Sequence, residues 1–227
     1  MQFFLDTANP NQIRTAASWG ILDGVTTNPT LMAREGREPR ELVREIARWV
    51  SGPISVETTS LDAQGMVREA REFAGWAPNV VAKVPMTPEG LRAAAALRAE
   101  GIPINVTLVF TPVQALLAAK AGATYVSPFV GRLDDIGHVG MDVVRQSVEI
   151  LRRYGFATKV LAASLRHPLH VLEAARAGAD VATMPFATLE QLFRHPLTDQ
   201  GLERFLADWR RLQAELASRS TAATGSP

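Results

Sequence analysis

Short apolar runs rich in β-branched residues recur along the chain, each followed by room for a helix. They read QFFLD (2–6), GVTTN (24–28), ISVET (54–58), VVAKVP (80–85), INVTLVF (104–110), TYVSPF (124–129), KVLAAS (159–164) and DVATMP (180–185). Each is nearly continuous in apolar character, as strands covered on both faces require. Between them lie helical patterns rich in Ala, Leu, Glu and Arg, such as PRELVREIARWV, DAQGMVREAREFAGW and PEGLRAAAALRAEG. Strands alternating with helices build βαβ units and a parallel sheet. Eight such units in 227 residues predict a (β/α)8 barrel of the TIM type, a fold that typically takes about 250 residues. The rival, a doubly wound sheet, usually carries a glycine-rich turn after its first strand. The stretch DTANPNQ (6–12) has no glycine.

The segment GLERFLADWRRLQAEL adds a C-terminal helix, with an apolar stripe at Leu202, Phe205, Leu206, Trp209 and Leu212. Beyond it the residues turn small and polar, a composition expected to fray. The organisation expected is one barrel domain over 1–212, terminal helix included, and a flexible tail over 213–227.

Composition narrows the picture mainly by exclusion. Hydrophobic residues make up 47% and charged residues 21%, and the net charge is +1 with both signs interspersed. No nucleic-acid or membrane footprint stands out. With no cysteine, disulfides and thiolate metal sites are excluded. There is no P-loop, GxGxxG or HExxH, so no cofactor and no metal is expected. His167 and His170, in SLRHPLHVLEAA, are spaced like a helix surface and lack nearby carboxylates in sequence. The start MQFFLDTANP has neither a basic region nor a long apolar core. No apolar run approaches the ~20 residues of a membrane span. A soluble cytoplasmic protein is expected.

Barrels take catalytic groups from the C-terminal ends of their strands, and polar residues cluster there. Asp6 ends the first run, Thr26 and Asn28 the second, and Glu57 the third. Lys83 falls late in the fourth, Asn105 and Thr107 lie in the fifth, Ser127 in the sixth, and Ser164 ends the seventh. Residues two apart share a strand face, so Thr26 with Asn28, and Asn105 with Thr107, can point inward together. Each has a plainer alternative. Lys83 could pair with Asp6 or Glu57 in a structural ion pair. Asp6 could cap the helix after Pro10 and Asn28 could form a turn. Glu57, Asn105 and Thr107 could be a satisfied polar plug, Arg132 a loop charge, Ser164 a helix cap and Arg166 a surface residue.

Amine chemistry joins them more simply. A lysine in an apolar site has its neutral form favoured by desolvation. A neutral amine can attack a ketone and form a Schiff base that serves as an electron sink. Cleavage of a β-hydroxy ketone then needs a base for the hydroxyl proton and a proton shuttle for dehydration. Asp6 is the candidate base, and Glu57 with Thr107 the candidate holders of a water. Arg132, Ser164 and Arg166, in the late loops, suit a phosphate. Asp134 and Asp135 are expected to cap the helix after Gly137.

In order, the segments FLDTAN, GVTTNPTL, AKVPMTPEG, NVTLVF, VSPFVGRLDD and LAASLR resemble the transaldolase family, in particular its small, fructose-6-phosphate-aldolase-like members. The resemblance covers residues 1 to about 212. It implies Lys83 as the Schiff-base lysine, Asp6 as acid/base, and Glu57 and Thr107 around a catalytic water. It also implies Asn28, Asn105 and Ser127 against a dihydroxyacetone unit, and Arg132, Ser164 and Arg166 against phosphate, so that sugar phosphates are the partners. The small members tend to form decamers of two pentameric rings, the terminal helix reaching a neighbour. The aldolase members carry Gln where this chain has Glu57 and Tyr where it has Phe129. The resemblance therefore implies a transaldolase, moving a dihydroxyacetone unit from sedoheptulose 7-phosphate to glyceraldehyde 3-phosphate. An aldolase releasing free dihydroxyacetone, and a non-catalytic sugar-phosphate-binding barrel, stand as alternatives.

Overall fold

The computed structural model describes residues 1–224, with side chains described through residue 219. Its eight strands are β1 (Gln2–Asp6), β2 (Gly24–Thr26), β3 (Ile54–Glu57), β4 (Val80–Pro85), β5 (Ile104–Val109), β6 (Tyr125–Pro128), β7 (Lys159–Ala162) and β8 (Val181–Met184). All neighbours pair in parallel, and β1 closes the ring by pairing with β8 through Phe4↔Thr183 and Leu5↔Met184. The expected barrel is therefore present. Most strands stop one or two residues before the apolar run does.

The connections carry α1 (Pro10–Ser18), α2 (Pro29–Glu35), α3 (Pro39–Ile46), α4 (Ala63–Ala74), α5 (Pro88–Ala99), α6 (Pro112–Lys120), α7 (Val130–Asp134), α8 (Met141–Arg153), α9 (Pro168–Ala177) and α10 (Phe186–Gln191). Many start by one local rule. A side chain accepts a backbone N–H, and proline follows as the first helical residue, where its missing N–H costs nothing. Asn9, Asn28, Thr87 and Thr111 cap α1, α2, α5 and α6 in this way. Asn9, not Asp6, caps the helix after Pro10. His167, not Ser164, caps α9.

The barrel interior is layered. Phe4, Val81, Tyr125, Leu161 and Val181 form a buried apolar cluster. Each stands two residues before Asp6, Lys83, Ser127, Ala163 or Thr183 on its own strand, so the two sets share the inward face. An apolar floor thus lies directly beneath a more polar layer at the strands' C-terminal ends. Gly24 is part of that floor. A Cβ there would come within 2.6 Å of the Phe4 ring and 2.8 Å of the Pro53 carbonyl.

The chain forms two compact units, the first spanning Met1–Leu189 and the second beginning at Glu190. The long helix α11 (Pro196–Thr224) belongs to the second, whereas the sequence pattern grouped it with the barrel over 1–212. It also crosses the boundary at 213 where a tail was expected. Ala214, Glu215, Leu216 and Ala217 have high helix propensity, and Leu216 prolongs the apolar stripe. Residues 225–227 lie outside the described residues. No helix among the described residues is long and apolar enough to cross a membrane.

Gly24→Ala is expected to destabilise the barrel by roughly 1–3 kcal/mol, the usual range for overpacking. Phe4→Leu in the same chain should restore only part of this, since the Pro53 carbonyl remains. Denaturant unfolding of the single and double variants checks both outcomes.

Candidate active site

A cavity of about 330 Å³ opens at the C-terminal ends of the strands. Lys83, Glu57, Asp6 and Thr26 contribute to its wall, with Asn28 and Ser127. Phe129, Arg132 and Ser164 line it as well. Of the twelve residues named from the sequence, nine therefore meet in one place. Asn105, Thr107 and Arg166 do not line it.

Register explains the arrangement. Glu57 pairs with Lys83 across β3 and β4, and Lys83 with Asn105 across β4 and β5. In a parallel ladder such partners face the same way. The Lys83 ammonium is buried, donating to Glu57 Oε2 at 2.9 Å and to the Thr27 carbonyl at 3.0 Å. The apolar surroundings read from VVAKVP are real: Val81, Ala82 and Val84 are all buried. The amine is nevertheless paired, and its carboxylate partner is only 14% exposed.

Below this pair runs a satisfied polar chain. Ser127 Oγ donates to Asn105 Oδ1 at 2.7 Å, and Asn105 Nδ2 donates to Ser55 Oγ at 3.2 Å. Asn105 is fully buried, so it fixes the orientation of Ser127 from beneath the cavity. Thr107 is buried too, and its hydroxyl has no hydrogen-bond partner among the described residues. Next to it, Leu108 takes a positive φ of 59° where the β5–β6 register shifts. That turn brings Leu108, rather than Thr107, into the cavity wall.

Asp6 ends β1 in register with Thr26. Thr26 Oγ1 donates to Asp6 Oδ1 at 2.7 Å and lies 2.6 Å from Thr183 Oγ1. Burial pushes the Asp6 carboxyl above its ordinary 3.8. The Lys83 charge, the Thr26 hydrogen bond and the Arg132 charge pull downward without cancelling it. Thr183 was missed in the sequence. The run DVATMP supplied no polar candidate, although alternation from Val181 puts Thr183 on the inward face.

The mouth carries the cationic groups. Arg132, on α7, stands over the Phe129 ring at 4.9 Å and lines the cavity with Ser164. Ser164 has φ 58°, and its carbonyl accepts from Gly131 N at 3.0 Å, tying this loop to α7. Arg166 grips Asp135 with two contacts of 2.5 and 2.6 Å. Asp134 and Asp135 therefore divide their work. Asp134 accepts from Gly140 N at 2.8 Å just before α8, but Gly140 is itself the cap residue of that helix and no side chain caps it, so the capping expected of the two aspartates is not made. Asp135 instead neutralises Arg166. Asn28 serves both of its readings, capping α2 through Leu31 N at 2.9 Å while lining the cavity. His170 donates from Nε2 toward Asp134 at 3.1 Å and accepts from Arg166 N at Nδ1. Burial, and then His167, lower its pKa. No group of three or more metal-ligating side chains occurs among the described residues.

Residues 3–216 match the family described as Transaldolase/Fructose-6-phosphate aldolase. The chain belongs to this family. A probable transaldolase of Aquifex aeolicus is 62% identical over 212 residues, 93% of this chain and 98% of that one. One from a Roseiflexus species (strain RS-1) is 64% identical over 214 residues, covering 94% and 99%. One from Petrotoga mobilis is 56% identical over 220 residues, covering 97% and 100%. Among solved structures, a mandelate oxidase mutant with a monooxide FMN adduct aligns with TM-score 0.58 at 16% identity, over 82% of this chain and 64% of that one. That similarity shows a shared fold alone. Membership of the family accounts for six segments recurring in order at one mouth.

The raised Asp6 pKa has a sign that can be checked. Below about 3.8 the carboxyl is neutral folded or unfolded and costs nothing. As pH rises through the raised value, ionisation costs more in the folded state, so stability is lost. Asp6→Asn should therefore melt higher than the wild type at pH 7, with the gain shrinking as the pH approaches 4. Equal melting shifts at both pH values would refute the burial effect.

Proposed function

We propose that the chain is a transaldolase, transferring a dihydroxyacetone unit between sugar phosphates through a Schiff base on Lys83. The observation that carries this is the buried Lys83 amine, 2.9 Å from Glu57 and in one cavity with Asp6. Relatives over nearly the full chain bear the name probable transaldolase. The alternatives of a free aldolase and a non-catalytic barrel are less well supported. A binder has no need of a buried amine with a proton acceptor beside it.

The steps follow from the contacts. The Lys83 ammonium passes a proton within its pair to Glu57, a route that apolar surroundings alone do not provide. The neutral amine adds to the ketone of the donor, sedoheptulose 7-phosphate. Dehydration of the carbinolamine needs a proton delivered to its hydroxyl. Glu57 supplies it through a water that the Thr107 hydroxyl, unpartnered within the protein, helps to hold. Asp6 then takes the proton of the β-hydroxyl as the carbon–carbon bond breaks into the iminium. Erythrose 4-phosphate leaves, and the enamine stays on Lys83. Glyceraldehyde 3-phosphate enters, the enamine carbon attacks its aldehyde, and Asp6 returns the proton. Hydrolysis releases fructose 6-phosphate. Asn28 and Ser127, with Asn105 behind, suit the hydroxyls of the three-carbon unit. Arg132 and Ser164 suit the phosphate, with Arg166 joining only by exchanging Asp135 for it.

Glu57 and Phe129 favour transfer over release. In place of Phe129 a tyrosine would bring a hydroxyl to the cavity, able to help protonate the enamine. The exposed apolar stripe of α11, including Phe205, Leu206 and Trp209, supports assembly as a homo-oligomer, with a decamer the size implied by the small members. A cytoplasmic location fits the substrates.

Borohydride reduction with fructose 6-phosphate should attach the sugar carbons to Lys83, as read by peptide mass spectrometry; no adduct there sinks the mechanism. Phe129→Tyr should raise the ratio of free dihydroxyacetone to transferred product when acceptor is limiting. Arg132→Met should raise the KM for phosphorylated donor by roughly tenfold or more, the loss of one charge-assisted contact.

A further inference from the structure

We propose that Thr183 is a positioning residue, whose hydroxyl donates to Thr26 and so strengthens the Thr26 hydrogen bond to Asp6 Oδ1, leaving Oδ2 as the oxygen that exchanges protons with substrate. Thr183 comes from β8, the strand that closes the barrel against β1, and it is 2% exposed. Its role as part of the reaction rests on the transaldolase reading; its effect on Asp6 does not.

The number of hydroxyl hydrogens sets the direction of these contacts. A threonine hydroxyl has one hydrogen and two lone pairs. Thr26 Oγ1 touches Asp6 Oδ1 at 2.7 Å and Thr183 Oγ1 at 2.6 Å. When Asp6 is ionised it can only accept, so the Thr26 hydrogen goes to it. Thr183 must then donate to Thr26, since Thr26 has no second hydrogen. The chain has one direction, Thr183 to Thr26 to Asp6. Each donor in such a chain polarises the next, strengthening the bond to the carboxylate. Remove the first hydroxyl and Thr26 still donates to the ionised Asp6, but through a bond that no longer has a donor behind it to strengthen it.

The consequence falls on proton affinity. The groups facing Asp6 are Lys83 and Glu57 from β4 and β3, and Arg132 from α7. On the other side, Arg34 and Glu35 of α2 share a second cavity with it. None of these changes when Thr183 loses its hydroxyl. Burial raises the Asp6 pKa and the Thr26 hydrogen bond holds it down, so weakening that bond lets it rise further.

Thr183→Val keeps the shape and removes the hydroxyl; Thr183→Ala does so with less risk of crowding; Thr183→Ser restores it. Followed by carbon NMR of labelled aspartate, the Asp6 carboxyl should titrate higher in the Val and Ala variants by about 0.3 to 1 pH unit, on the scale of one weakened hydrogen bond. The Ser variant should match the wild type. In the pH profile of kcat/KM for fructose 6-phosphate with erythrose 4-phosphate as acceptor, the acidic limb should move the same way. The kcat should fall roughly three- to tenfold with KM little changed. In a Thr26→Val background, Thr183→Val should add nothing. An unmoved Asp6 titration, a serine variant as defective as valine, additive losses with Thr26→Val, or a rise in KM alone would each overturn the assignment. Borohydride trapping on the wild type separates the two readings. Failure to trap removes the transaldolase mechanism, whereas trapping beside an unmoved Asp6 titration removes only the role of Thr183.

Discussion

An ammonium cannot be buried in a barrel wall unless its protons have acceptors. The contact between Lys83 and Glu57 meets that condition, and much of the mouth follows from it. Register across β3 and β4 brings the two strand positions side by side. The carbonyl of Thr27, just past β2, accepts a second hydrogen bond from the ammonium. Three consecutive strands therefore have to be correctly aligned for one amine to be satisfied. The same alignment sets Asn105 beside Lys83 on the next strand, where it can orient Ser127.

The layering beneath does the corresponding work for packing. The apolar floor of Phe4, Val81, Tyr125, Leu161 and Val181 keeps water from reaching the polar layer from below. In that setting electrostatic interactions are stronger than in water, and burial raises the proton affinity of Asp6. Two carboxylates with different surroundings result. Glu57 is bound to a cation; Asp6 accepts from the Thr26 hydroxyl. Environments that separate two such groups are how acid and base roles are assigned.

The barrel was legible in the sequence because buried parallel strands write themselves as apolar runs, and all eight runs became strands. Most of the mouth was legible because strand-end positions have a known destination. What escaped depends on side-chain partners. Nothing local in VGRLDD distinguishes Asp134, which ends α7 and accepts from Gly140 N, from Asp135, paired with Arg166 thirty-one residues on. Thr183 sits in a run whose polar residues look like ordinary strand composition, and only its neighbour from β2 marks it out. The length of α11 was obscured because small, polar residues are compatible with both a helix and a coil.

Among the described residues other than glycine, only Leu108 and Ser164 adopt a positive φ, and both line the cavity. An L-residue in that conformation costs on the order of 1 kcal/mol that glycine would avoid. Glycine is no stranger to this chain, and holds such conformations at seven other places. At these two it would relax the backbone and at the same time remove a leucine wall and a serine hydroxyl from the mouth. Any search for a sturdier version of this protein will be drawn to those two positions first, and they are the ones where sturdiness and substrate recognition pull apart.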